Sequence, residues 1–282
     1  MLHFIAHGDP GKNNNTRNKT IRHTIMENMQ TLENTHNLPL SRLENHIDPL
    51  DDGISSVELM RVSGSDLDVV NAARVSYGKI SSEVTDRDKK LIKFLMEHNH
   101  TSPFEHNQLS FRIKAPIFVA RQWMRHRMNS YNEISYRYVK ASLEFYVPPK
   151  WRSQDTKNKQ ASIGSFDNAA FTQKFKESIA QSVQAYEYLL ENGVGREIAR
   201  SVLPLCTYTE FIFTCNLHSL MHFLKLRLHA GAQYEIRMYA QTMLKLALPH
   251  FAISLGEWKR IHAAELEIET DLFTQNFTAT AE

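Results

Sequence analysis

The stretch 109–125 constrains the fold more than any other. Leu109, Phe111 and Ile113 alternate with polar residues, the pattern of a strand with one face on a core. Pro116 follows and suits the first turn of a helix, where its missing N–H costs nothing. Ile117, Phe118, Val119, Ala120, Trp123 and Met124 then mark an apolar helix, predicted to run to about Arg125. A strand feeding a buried helix puts both element types in one core. Where the apolar run stops, a dense polar run begins.

The remaining elements follow the same logic. Val57–Val62 suits a strand, Asp66–Val75 a helix with Ser65 as candidate N-cap, and Thr85–His98 a second helix with Leu91, Phe94 and Leu95 as its apolar stripe. Glu133–Tyr138 and Leu143–Val147 read as short extended segments before Pro148-Pro149, and Trp151–Asn168 reads as a polar loop. Phe171, Phe175, Ile179, Val183, Tyr186 and Leu190 mark a long amphipathic helix that ends at Asn192-Gly193. Arg196–Val202 is a short helix stopped by Pro204, and Tyr208–Cys215 is a strand. Asn216 caps a helix over Leu217–His229, and another continues to about Leu248. Helices with a few non-adjacent strands make the fold class α+β.

Residues 1–53 differ from the rest. They hold the run Asn13–Asn15, few apolar clusters, and helical spacing only over Ile21–Leu32. They read as an N-terminal extension, partly disordered or lying on a neighbouring subunit. The main domain is expected over 54–258, with a C-terminal tail over 259–282.

Composition excludes several classes. Lys+Arg 33 against Asp+Glu 31 gives a net charge of +2, too small for a general nucleic-acid or acidic-membrane field. No apolar run approaches a membrane span, and Met1–Ala6 is too short for a signal-peptide core. Two cysteines, Cys206 and Cys215, rule out a disulfide framework and a four-Cys zinc site and fit a cytoplasmic protein.

The densest chemistry is the run from Arg125 to Tyr138. It places Arg125, Arg127 and Arg137 with His126, Ser130, Asn132, Glu133 and Ser135. Guanidinium groups grip phosphate by two-pronged hydrogen bonds, and Ser hydroxyls add donors. Asn132 offers both donor and acceptor, and Glu133 an acceptor for a sugar hydroxyl. A solvated charged face is the alternative. It fits poorly, because the run starts where a buried helix stops and interleaves Tyr131, Ile134, Tyr136 and Tyr138. The residues themselves point to a nucleotide or other phosphate site.

The pattern RHRxxSxNExSxRY, here Arg125, His126, Arg127, Ser130, Asn132, Glu133, Ser135, Arg137 and Tyr138, resembles the signature of flavin-dependent thymidylate synthases, the ThyX family. The resemblance covers about 54–255. His100–His106 is similar to the family's first flavin-contacting segment, Ala72–Ser76 to its N-terminal helix end, and Arg196–Pro204 with Tyr208–Asn216 to the parts that complete the site. His218 stands where Arg is frequent, and His222 where Asn or His occurs.

The resemblance implies a mainly antiparallel sheet with packed helices and a homotetramer whose active sites lie at subunit interfaces. It implies the methylation of dUMP to dTMP, with 5,10-methylenetetrahydrofolate as carbon donor and NADPH as reductant through FAD. Carried over residue by residue, it gives dUMP to Gln122, Arg125, Glu133, Ser135, Tyr136, Arg137, Arg200 and Arg227, with Arg227 catalytic. It gives FAD to Ser76, His100, Ser102, Arg125, His126, Arg127, Glu133, Asn216, His218 and His222. It implies no metal, nucleic acid or membrane.

Two other readings rest on the residues. His98, His100 and His106, and His218 with His222 one helical turn apart, invite a metal-hydrolase reading. The second pair lacks the Glu that would follow its first His in a zincin. The Arg and Tyr run also suits an RNA-binding module. A thiolate nucleophile is a further question. Neither cysteine has a basic sequence neighbour to activate it, and both read as buried small hydrophobes.

Overall fold

The computed structural model describes residues 46–159 and 161–266. The helical spacing over Ile21–Leu32, and the C-terminal tail beyond residue 266, lie outside the described residues.

Alternation in the sequence becomes a five-stranded antiparallel sheet. Its strands are β1 (His46–Ile47), β2 (Ser56–Ser63), β3 (Gln108–Pro116), β4 (Ser130–Glu133) and β7 (Tyr208–Cys215), in the order β1-β2-β3-β7-β4. Phe111 pairs with Phe213, Leu109 with Cys215 and Ile113 with Phe211, all buried. The opposite face is polar: Ser110 bonds Thr214 at 3.0 Å and Arg112 Nε donates to Glu210 at 2.6 Å. The edge strand β1 falls within the stretch read as an extension.

Helices α1 (Asp66–Arg74) and α2 (Asp86–Glu97) each begin with a capping box. The Ser65 N–H donates to Asp68 Oδ2 at 2.7 Å, and the Thr85 N–H to Asp88 Oδ2 at 3.0 Å. The core stripe of α2 is Ile92 and Leu95; Phe94 is 46% exposed. Its ring instead stacks on His98 at 4.1 Å.

Pro116 is the N-cap of α3, which spans Ile117–Trp123 and stops before Arg125. Its last residue, Trp123, is fully buried. Its ring centroid lies 4.8 Å from Phe223, 5.4 Å from Phe211, and 5.8 Å from both Phe213 and Tyr239. These neighbours sit on β7, α6 (Leu217–Arg227) and α7 (Tyr234–Ala247). Asn216 caps α6 by accepting from the Ser219 N–H at 2.8 Å, as its position predicts. The helix ends at Arg227, two residues short of His229.

Three segments depart from expectation. Trp151–Asn168 is not a loop but carries the hairpin β5 (Trp151–Gln154) and β6 (Ser162–Phe166). Trp151 packs on Phe171 and Phe175 of α4 (Ala169–Glu191), so one aromatic anchors an otherwise polar ribbon. The extended stretch expected over Glu133–Tyr138 stops at Glu133, and Ser135–Tyr138 turns back through a Tyr138 N–H to Ser135 carbonyl bond of 2.9 Å. Helix α8 (Ala252–His262) has no counterpart in the sequence reading, and it carries regular structure into the stretch assigned to the tail. Its first N–H groups are capped from afar: buried Asp66 accepts from Ile253 N at 2.8 Å and Ser254 N at 3.0 Å. Among the described residues, α5 (Arg196–Ala199) completes the helices and passes into a 3-10 turn over Arg200–Val202.

Trp123→Ala is expected to cost about 3–5 kcal/mol, read as a shift in the urea midpoint. A loss under about 1 kcal/mol contradicts the packing role assigned to Trp123.

Candidate functional site

The last turn of α3 carries Gln122. Beyond Trp123 the chain leaves the helix, so Arg125, His126 and Arg127 lie in a turn rather than sharing a helix face with Gln122. The His126 N–H donates to the Trp123 carbonyl at 3.0 Å. Arg125 and Arg127 are exposed, and neither has a carboxylate partner among the described residues.

His126 is 7% exposed. Its ring meets Phe223 at 4.9 Å and His222 at 5.9 Å, both edge-on. Arg227 Nε donates to His126 Nε2 at 3.0 Å, and Arg227 Nη2 donates to the Gln122 carbonyl at 2.9 Å. Burial, then the charges of Arg227 and His222, push His126 down to about 4. The ring is therefore neutral near pH 7, with Nε2 free to accept. Burial also lowers Arg227 below the ordinary arginine value, but the guanidinium stays charged. The Tyr131 hydroxyl donates to the His126 carbonyl at 2.9 Å and lies 3.1 Å from that of Trp123. Burial lifts Tyr131 to about 12, so it remains a donor.

Gln122 and Arg227 open onto a pocket of about 530 Å³. Its far wall is the hairpin, through Trp151 and Arg152, and its floor includes Gln233, which accepts from the Gln122 amide. Arg152 is held by Glu235, at 2.7 and 3.0 Å, and Tyr146 donates to the same carboxylate at 2.8 Å. Glu235 is buried. Sequence reasoning missed Gln233, Arg152 and Glu235. No local pattern marks them, because each matters through a partner more than 80 residues away.

The other nominated residues form separate groups. Glu133 ends β4 and accepts from the Thr209 hydroxyl at 2.6 Å. Ser135 and Arg137 share a turn, so they are not on one face of an extended segment. Arg137 is exposed and sits 5.3 Å over the Tyr138 ring. The Tyr136 side chain is buried and donates to the Tyr208 carbonyl at 2.6 Å. Arg200 is half-buried in its 3-10 turn. None of Ser135, Arg137 or Arg200 lines the pocket that Arg227 lines.

Ser76, His100, Ser102 and His222 are exposed. His100 packs edge-on to Phe94 at 5.7 Å. His218 Nδ1 lies 3.3 Å from Glu105 Oε1, three residues beyond Ser102. Asn216 uses its carbonyl oxygen as the α6 cap. Its neighbour Leu217 donates N–H to Asn107 Oδ1 at 2.8 Å, tying α6 to the segment after Ser102. Among the described residues no group of three His, Cys, Asp or Glu could hold a metal ion, and no helix is long and apolar enough to cross a membrane. Both cysteines are buried thiols. Burial lifts Cys206 to about 11 and raises Cys215 as well.

Among the described residues, the α+β fold carries two exposed guanidinium groups without a carboxylate partner at a helix exit and a third anchored on a pocket wall, a donor set that can hold an anionic group. Comparison with known proteins narrows that reading. The family model described as "Thymidylate synthase complementing protein" (Thy1) matches residues 58–251. The chain is 47% identical over 190 residues to a flavin-dependent thymidylate synthase of Thermotoga neapolitana, covering 67% of this chain and 84% of that one. It is 50% identical over 190 residues to a protein of the same description from Thermus thermophilus, covering 67% and 70%. In three dimensions it is similar to the UMP/dUMP methylase PolB of Streptomyces cacaoi, solved with 5-Br dUMP: TM-score 0.68, 36% identity, 76% of this chain and 97% of that one. The chain belongs to the Thy1 family of flavin-dependent thymidylate synthases.

The buried neutral His126 makes stability pH-dependent. Above its ordinary value near 6.5, folded and unfolded chains are both neutral there. Between 6.5 and about 4 only the unfolded chain takes up the proton, so stability falls with pH. The expected loss is on the order of 2–3 kcal/mol. Urea midpoints of wild type and His126→Phe across pH 4–8 check it: the variant should lack this increment. Parallel curves contradict the assignment.

Proposed function

We propose that this protein is a flavin-dependent thymidylate synthase that methylates dUMP to dTMP, with 5,10-methylenetetrahydrofolate as carbon donor and NADPH as reductant. The observation that carries the reading is Arg227, fixed by His126 and the Gln122 carbonyl on the wall of the pocket. A guanidinium so held is aligned before any ligand arrives. It stabilises negative charge on a uracil ring as N3 loses its proton, and such preorganised donors are commonly the largest catalytic term. Gln122 and Arg125 contribute nucleotide contacts. Ser135, Arg137 and the backbone of Tyr136 supply a phosphate-binding turn, joined by Arg200. Glu133 bridges nucleotide and flavin.

The residues present fit FAD. Arg125 and Arg127 are exposed guanidiniums with no carboxylate partner among the described residues and suited to a pyrophosphate, Ser76, His100, Ser102 and His222 are exposed, and half-buried His218 and the Asn216 amide add donors. When bound, the flavin supplies the hydride chemistry. The chain orients it and keeps the nucleotide beside it.

The reading includes a cytoplasmic homotetramer. Separation of the Arg137 turn from the Arg227 pocket supports sites shared between subunits. So does the exposure of Val75, Tyr77 and Ile80, at 71%, 81% and 90%.

Purified protein is expected to be yellow, with flavin bands near roughly 375 and 450 nm that bleach on anaerobic addition of NADPH. Colourless protein containing zinc overturns the reading in favour of a hydrolase. Flavin-free protein that binds RNA with a steep salt slope overturns it in favour of a binding module.

Arg227→Ala should keep its flavin and its reduction by NADPH, while dTMP formation falls by about 10²–10³. Equal losses in both half-reactions, followed by stopped flow, contradict the role of Arg227. The double variant Cys206→Ala/Cys215→Ala, checked for flavin content, should keep dTMP synthesis within about tenfold. A folded, flavin-loaded double variant without turnover restores a thiolate mechanism.

A further inference from the structure

His126 lies in the signature run, and the resemblance assigns it to flavin. Its side chain is placed otherwise. The residue is 7% exposed, and its Nε2 accepts from Arg227 Nε at 3.0 Å. Among the described residues the Arg227 Nε–H is bonded to His126 alone, and Nε2 has room for one donor in the ring plane.

His126 is itself fixed on every side. Its N–H is bonded to Trp123, its carbonyl accepts from Tyr131, and its ring packs on Phe223 at 4.9 Å. Arg227 is the last residue of α6, with a long side chain whose rotamers are costly to order. Two hydrogen bonds, to His126 and to the Gln122 carbonyl, remove that freedom while Arg227 lines the pocket. The titratable and charged groups around the His126 ring are Arg227 and His222 on α6, with Tyr131 on β4.

We propose that the His126 side chain is a positioning residue that acts through Arg227, aligning its guanidinium toward the nucleotide, and that it does not serve the flavin. The proposal rests on the reading of the Arg227 pocket as the dUMP site. It separates two jobs within one turn. The exposed Arg125 and Arg127 face ligand directly, while the histidine between them points inward and prepares the residue that meets the uracil ring.

The test compares three variants in the flavin-loaded protein. His126→Phe keeps a planar ring without an acceptor. His126→Leu removes the acceptor with a smaller group, should the phenyl ring not fit. In His126→Gln, Oε1 can reach the place of Nε2 and accept again. Expected results are a Kd for dUMP about 10- to 30-fold weaker in Phe or Leu and recovery to within about threefold in Gln. FAD affinity and the rate of flavin reduction by NADPH should stay within about twofold throughout. In an Arg227→Ala background, His126→Phe should change dUMP affinity by less than about twofold, because the residue it acts through is gone.

Unchanged dUMP affinity in Phe and Leu overturns the proposal. So does FAD loss that matches the dUMP loss, or an undiminished effect of His126→Phe without Arg227. Wild-type protein that binds FAD but not dUMP instead overturns the reading of the pocket, and the proposal with it.

Discussion

The burial of Trp123 is the contact on which the site depends. One indole joins a strand and three helices, touching Phe211 and Phe213 on β7, Phe223 on α6 and Tyr239 on α7. Trp123 is the last residue of α3. Because α3 stops there, Arg125, His126 and Arg127 do not continue its helical face. They turn, sending two arginines outward and one histidine inward. The same indole sets the distance between α3 and α6, which lets Arg227 reach both His126 and the Gln122 carbonyl. A hydrophobic contact thus sets the geometry of a polar one, and close packing leaves it little slack.

Much of the fold is legible because its signals are local. Alternation over Leu109–Ile113, Pro116 at a helix start, the Asn216 cap and the Asn192-Gly193 stop are each short-range, and each lies where the sequence puts it. Failures come where a distant partner decides. Helix α8 has its first amides capped by Asp66, so no neighbouring residue announces it. The hairpin over Trp151–Phe166 is polar along its length and depends on Trp151 against α4 and Arg152 against Glu235. Phe94 has the spacing of a core residue but stacks on His98 outside the core, because Ile92 and Leu95 already fill the buried stripe of α2.

The site divides along the same line. The signature run stands out in the sequence, since charge density after an apolar helix is a local feature. Orientation is not readable: Tyr136 turns in, Arg137 turns out, and Ser135 lies in a turn rather than a strand. Nor is the coupling of His126 to Arg227, 101 residues apart in sequence. The pocket wall formed by Gln233 and Arg152 is equally silent in sequence, because an amide and a guanidinium acquire meaning only from what they face. Helix α7 carries both Gln233 at its cap and Glu235 in its first turn, so the pair of half-buried Arg152 and buried Glu235 also fixes one side of the pocket. The pocket wall is built from α3, α6, the hairpin and the cap of α7, which meet only after folding.

Release of tritium from the uracil ring measures the central claim most directly, because it follows the one bond that must break at C5 when dUMP is methylated. Purified protein is given dUMP tritiated at C5 with FAD, NADPH and 5,10-methylenetetrahydrofolate, and tritium in water is counted against dTMP formed. The account predicts one tritium released per dTMP, lost when either NADPH or the folate is omitted and when Arg227 is replaced by alanine. Flavin-loaded wild-type protein that oxidises NADPH yet releases no tritium contradicts it.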